Sequence, residues 1–145
     1  MKTATLNSTN KILLEDPALT EDKYNVKFSV TDRLGSYVFD QENKELKNID
    51  TTFDDLNKRY AAVFTIKEDT ADDYLTVAFH IADEQGILVN SDYYLINVKI
   101  DRISYTVKLV PVEYFKEFVS QGELDEDFKD RINNYPNYLV ESMLS

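Results

Sequence analysis

The most acidic part of the sequence lies between residues 68 and 92. This stretch carries seven carboxylates, no lysine or arginine, and the chain's one histidine, His80. Paired carboxylates can act as general acid and base in glycoside hydrolysis, and clustered carboxylates can bind a cation. The same charge can instead form a binding surface for a basic partner, or simply keep the surface solvated. The rest of the sequence is needed to choose among these uses.

His80 is the side chain that most invites a catalytic interpretation. A strand over 74–82 would place it opposite an apolar face, which is formed by Leu75, Val77, Phe79 and Ile81. A catalytic histidine needs a nucleophile in a defined position, and the chain has no glycine-framed serine motif. We therefore interpret His80 as a structural residue. No pair among the many carboxylates can be assigned to a catalytic cleft, so the sequence predicts a protein that is not an enzyme.

Metal and cofactor chemistry have little support in the sequence. There is no cysteine, so only the oxygen ligands that suit Ca²⁺ or Mg²⁺ remain. The acid-rich segments 68–73 and 125–130 lack the glycine and glutamate positions of an EF-hand loop. The chain has only three glycines and no P-loop or dinucleotide-binding motif, so a phosphate-cradling loop is not expected. We predict neither a metal ion nor a cofactor.

The length of the chain favours a single domain over 1–145. Residues 1–23 are polar and weakly patterned, and we expect them to form an N-terminal arm or a short docking element. The chain has no cysteine, no apolar leader segment and no apolar run near the roughly 20 residues of a membrane span. These features favour a cytoplasmic location.

The net charge of −11 is unevenly distributed along the chain. Residues 1–33 carry five basic and five acidic side chains, whereas residues 34–145 carry eleven basic and twenty-two acidic ones. A surface of this sign repels nucleic acid and anionic lipid, because both present phosphate groups. We therefore predict no direct nucleic-acid binding and no membrane binding. A basic protein partner is favoured, including a nucleic-acid-binding effector.

Alternation of apolar and polar residues predicts most of the strands. It is clear over 26–31 and 74–82, and again over 94–109, where a two-residue turn at 101–102 would give a hairpin. In that hairpin Val98 would pair with Tyr105, so that both strands place their apolar residues on one face.

Helices are predicted mainly near the C-terminus. Pro111 suits the start of one helix, 124–135 has helical spacing, and a last short helix would cover 137–144. A further short helix is expected over 51–60, where acidic residues precede basic ones. The predicted fold class is α+β, an antiparallel β-sheet of about five to seven strands with the C-terminal helices packed on one face.

Two acidic groups are the candidate partner-binding residues. The first combines carboxylates with an aromatic ring that adds contact area: Asp69, Asp72, Asp73, Tyr74, Asp83 and Glu84. The second group precedes and opens the second C-terminal helix: Glu123, Asp125, Glu126 and Asp127. We expect both groups to contribute to one docking surface for a cationic protein.

In size, charge and lack of cysteine the chain resembles the small acidic inhibitors of phages and mobile elements. These include anti-CRISPR, anti-defence and immunity proteins, which share no fold, so the resemblance implies no residue roles. It implies a non-enzymatic inhibitor that occupies a cationic, nucleic-acid-binding surface of its target. The alternative is a structural or adaptor subunit, for example of a phage particle, that assembles through its sheet and aromatic face. A homodimer is compatible with either function.

Overall fold

The structure is a computed structural model that describes residues 3–70, 72–89 and 93–143. These residues form ten strands, two helices and a 3₁₀ turn at Glu68–Thr70. The strands are β1 (Ala4–Thr5), β2 (Thr9–Leu13), β3 (Asn25–Asp32), β4 (Ile49–Asp50), β5 (Thr52–Asp54), β6 (Arg59–Thr65), β7 (Tyr74–Ala82), β8 (Tyr93–Lys99), β9 (Ser104–Val110) and β10 (Val140–Met143). The helices are α1 (Val112–Ser120) and α2 (Glu126–Asn133).

All strand pairs are antiparallel, and the strands form two sheets. The larger sheet has the order β1-β9-β8-β7-β3-β4, and the smaller has the order β10-β2-β6-β5. The fold is thus broadly α+β, as predicted. The prediction of about five to seven strands was too low, because it treated two sheets as one and missed the short strands near the N-terminus.

The six-stranded sheet has packing partners on both of its faces. One face packs on the four-stranded sheet around a core in which the rings of Phe28 and Phe64 lie 6.1 Å apart. The other face packs on the two helices through a smaller core that includes Ile96, Phe118 and Phe128. Neither helix is long and apolar enough to cross a membrane, within the part of the chain that the structure describes.

The central strand β7 follows the alternation seen in the sequence. Its predicted apolar face is fully buried in the larger core: Leu75, Val77, Phe79 and Ile81. The opposite face carries Thr76, whose hydroxyl lies 2.5 Å from that of Thr31 on β3. The two predicted C-terminal helices also form, as α1 and α2.

The hairpin of β8 and β9 forms, but its predicted register was wrong by one residue. Val98 pairs with Thr106 rather than with Tyr105. As a result Ile96 and Val98 face the helices, whereas Tyr105 and Val107 face the four-stranded sheet. Because both faces of this hairpin are buried, apolar residues at odd and at even positions are both covered by protein. The alternation alone therefore does not fix the register.

The helix predicted over 51–60 was also wrong, since this segment forms β5, a turn and the start of β6. The Asp54 carboxylate accepts a hydrogen bond from the backbone of Asn57 at 3.0 Å, and Lys58 takes a positive φ of 56°. The Lys11 ammonium, 2.6 Å from the second Asp54 oxygen, holds the pKa of that carboxyl well below its usual range. A long-range ion pair and a local turn therefore outweigh the helix-like order of charges.

The last predicted helix, over 137–144, was wrong, since residues 140–143 of this segment form the strand β10. β10 pairs with β2, and Val140 lies opposite Ile12 and is buried. Leu139, in the same segment, is exposed, and Leu144 lies outside the described residues. Pairing with a segment more than 120 residues away decides this structure, and a local pattern cannot reveal it.

Lys108 is a buried cation in the smaller core. Its ammonium group donates to the backbone oxygens of Asn133 at 3.3 Å and Tyr135 at 2.7 Å, and to Oδ1 of Asn137 at 2.6 Å. Burial lowers the pKa of the lysine, since no carboxylate pairs with it among these contacts. The three acceptors tie the end of α2 and the following segment to β9.

Replacing Lys108 with methionine should therefore destabilise the protein. The change removes the donor from three partly buried hydrogen bonds, and we expect the free energy of unfolding to fall by about 2 kcal/mol. Urea denaturation measures the loss, and Lys116→Met, on the exposed side of α1, serves as the control. A Lys108→Met protein as stable as the control would show that these hydrogen bonds do not offset the cost of burying the charge.

Candidate protein-binding surface

The first group of predicted site residues is divided between the two ends of β7. Asp72 and Asp73 directly precede the strand, and Asp83 and Glu84 directly follow it. The side chains of Asp72, Asp73 and Glu84 are exposed, and that of Asp83 is partly exposed. A nine-residue strand spans about 27 Å. The carboxylates at its two ends therefore cannot form one continuous patch along the strand.

β7 begins at one end of the six-stranded sheet, and we call this end of the sheet the Tyr74 end. Strand pairing fixes its neighbours: Leu75 lies opposite Asp32 at the end of β3, and Tyr74 lies opposite Val98 near the end of β8. The backbone of Lys99 also donates to the carbonyl of Asp73, at 3.0 Å. The turns after β3 and β8 therefore lie beside the start of β7.

Arg33 brings the helical segment to the same end. Its guanidinium donates to the backbone oxygens of Phe118 at 3.3 Å, Gln121 at 2.5 Å and Gly122 at 2.6 Å. These carbonyls lie at the end of α1 and just after it, where they have lost their helical hydrogen-bond partners. The second group of predicted site residues follows immediately, so Arg33 holds that group near the Tyr74 end.

Tyr74 lies between the two acidic groups. Its ring packs edge-on against Phe118, with centroids 5.6 Å apart. Burial raises the pKa of its hydroxyl; the nearby charges of Asp73 and Glu126 raise it further, and those of Lys129 and Arg33 lower it. Charges from both acidic groups thus act on this hydroxyl, and the contact with Phe118 places the Tyr74 ring against the helical layer that carries the second group.

The carboxylates at this end have different local roles. Asp125 caps α2 by accepting a hydrogen bond from the backbone of Phe128 at 2.8 Å. Three others have a cation nearby, in ion pairs that join Glu126 to Lys129, Asp127 to Arg131, and Asp69 to Lys67. Within the described residues Asp72, Asp73 and Glu123 form no ion pair, so their charge is available to a partner.

Asp101 belongs to this surface, although the sequence identified it only as a turn residue. Its carboxylate accepts hydrogen bonds from the backbones of Ile103 and Ser104, both at 2.9 Å, and the first of these contributes most to lowering its pKa. Asp73, Tyr74 and Asp101 line one shallow depression, of about 330 Å³. In the sequence, the position of Asp101 between Ile100 and Ile103 is the one feature that could have pointed to this part of the surface. Both isoleucines are exposed.

Asp83 and Glu84 lie at the opposite end of the sheet. Asp83 forms the turn after β7, because its carboxylate accepts from the backbones of Gln85 and Ile87, both at 2.9 Å. Glu84 lies beside Lys23, whose pKa is raised by the neighbouring Tyr24 first and by Glu21 and Glu84 to a smaller extent. This part of the first group is therefore separate from the Tyr74 end.

The remaining candidates for chemistry do not assemble into a recognisable site. His80 is half-buried on β7, opposite Lys27 of β3. Among residues 3–70, 72–89 and 93–143, no three histidine, aspartate or glutamate side chains are grouped so that they could hold a metal ion. Comparison with known proteins gave no match: no family model, curated protein or solved structure is significantly similar to this chain.

Replacing Arg33 with methionine should loosen the helical side of this surface. The change removes three charged hydrogen bonds, and we expect a loss of about 2 kcal/mol in the free energy of unfolding. Hydrogen exchange should become faster for the amides of 119–128 and stay unchanged in β2 and β6. Arg102→Met removes an exposed arginine at the same end and should change little. Equal exchange in both variants would contradict the role given to Arg33.

Proposed function

We propose that the protein is a non-enzymatic inhibitor that binds a cationic, nucleic-acid-binding surface of a target protein. The Tyr74 end is the docking face in this proposal. The observation that supports it most is the convergence on Tyr74 of carboxylates from separate segments: the start of β7, the β8–β9 turn and the start of α2. A cationic groove that binds phosphate would find comparable negative charge on this surface.

The mixture of groups at the Tyr74 end suits a protein partner better than a small ion. Exposed aliphatic side chains lie among the carboxylates, at Leu34 in the turn after β3 and at Ile100 and Ile103 in the next turn. Apolar groups of this kind supply contact area at an interface, and the surrounding charges steer the encounter and favour a partner of opposite sign. Direct binding to nucleic acid or to an anionic membrane is not part of the proposal, because both would be repelled.

The biological setting that fits best is the blocking of a defence or nucleic-acid-processing protein in the cytoplasm. Small acidic inhibitors of phages and mobile elements, such as anti-CRISPR and immunity proteins, have this size and charge. No residue roles are transferred from those proteins to this chain. The carboxylates pair with Lys and Arg side chains of the target that would otherwise bind phosphate. Nucleic acid and the inhibitor should therefore exclude each other.

Charge reversal at the Tyr74 end gives a direct test. Asp72→Lys combined with Asp73→Lys should abolish capture of the partner from a lysate of the cells in which the protein naturally acts. Binding of the unaltered protein should weaken steeply as salt rises, and added duplex DNA or RNA should displace it.

A matched control separates position from total charge. Asp50→Lys combined with Asp55→Lys changes the net charge by the same amount, and both residues are exposed and remote from Tyr74. This control should retain binding, and the variant with Asp72→Lys and Asp73→Lys should keep the thermal stability of the parent. Loss of capture in both variants, or no competition by nucleic acid, would overturn the proposal. Self-association with little response to salt would instead favour an assembly subunit.

A further inference from the structure

Three consecutive aliphatic side chains are exposed at the far end of β7. Ile87 is 65% exposed, Leu88 69% and Val89 44%. In an ordinary edge of a sheet the alternating geometry would bury at least one of three successive residues. Here the backbone of Leu88 forms an isolated antiparallel β-bridge to Ala82, which fixes the position of the backbone. None of the three side chains is covered.

This apolar run lies next to a depression with a negative rim. The depression, of about 340 Å³, is lined by Lys23, Tyr24, Asp83, Glu84, Gln85 and Val89. We call residues 83–89 the β7–β8 tip. The tip thus combines exposed aliphatic groups, a concave surface that includes the Tyr24 ring, and two carboxylates.

The charge of the rim is not cancelled by its one cation. The Lys23 ammonium lies 3.4 Å from the Glu21 carboxylate and 5.5 Å from the centre of the Tyr24 ring, so its charge is already engaged. Neither Asp83 nor Glu84 forms an ion pair within the described residues. An incoming group therefore meets an apolar surface beside two carboxylates that form no ion pair among the described residues.

We propose that the β7–β8 tip is a second docking surface, which binds a cationic protein segment that presents apolar side chains. Contiguous exposed apolar patches mark interaction sites, whereas exposed apolar residues that are scattered singly are normal on a protein surface. The charge selects the partner. A twofold contact with a second copy of the chain would place Asp83 and Glu84 against the same residues, and an anionic membrane would also be repelled. The tip lies roughly 30 Å from the Tyr74 end, so it is a separate surface.

The experiment measures binding of a labelled amphipathic leucine–lysine peptide to the full chain by fluorescence anisotropy. Leu88→Ser should weaken binding about tenfold, in the range typical of a buried contact residue. Leu56→Ser is the matched control, because Leu56 is 92% exposed but isolated in the turn between β5 and β6. The control should bind as the parent does, and a peptide with serine in place of leucine should bind weakly to all variants.

Other outcomes would overturn the inference without deciding the proposed function. Equal effects of Leu88→Ser and Leu56→Ser would show that the tip has no special role. Loss of peptide binding in Asp72→Lys with Asp73→Lys, but not in Leu88→Ser, would assign the peptide to the Tyr74 end and overturn the tip. A dimer in sedimentation that Leu88→Ser dissociates would identify a second copy as the occupant, against the inference.

Discussion

The whole arrangement depends on the need to cover both faces of the six-stranded sheet. β7, β8 and β9 carry apolar side chains on both sides, so a single packing partner would leave one side exposed to water. The four-stranded sheet covers one face and the two helices cover the other. The helices are fixed by the stacked rings of Phe118 and Phe128, 5.9 Å apart, and by the hydrogen bonds of Arg33 and Lys108. These contacts hold α2 and its acidic first turn against the sheet.

The acidic surface is a consequence of this packing. Carboxylates that are distant in the sequence meet because the sheet places the start of β7 beside the β8–β9 turn, and Arg33 ties the start of the helical layer to the same end. Some of the charge stabilises the fold itself, as when Asp125 caps α2 and Asp101 closes its turn. Among the described residues Asp72, Asp73 and Glu123 form no ion pair, and their charge is what remains for a partner under the proposed function.

The sequence predicted those elements whose pattern is local. β7 and the two helices follow from apolar spacing. Three features failed because long-range contacts decide them. The pairing of Lys11 with Asp54 favours a hairpin over a helix, the pairing of β10 with β2 replaces the last helix, and burial on both faces shifts Val98 by one residue. The separation of Asp83 and Glu84 from Asp72 and Asp73 follows from the nine-residue strand predicted between them.

The most direct test of the account is a pair of distances between spin labels. The chain has no cysteine, so labels attach only at introduced positions. We expect the pair Asp73→Cys and Asp125→Cys to give a distinctly shorter distance than the pair Asp73→Cys and Glu84→Cys, which should lie near roughly 30 Å. Equal distances, or a longer distance for the first pair, would contradict the claim that the two acidic groups converge at Tyr74.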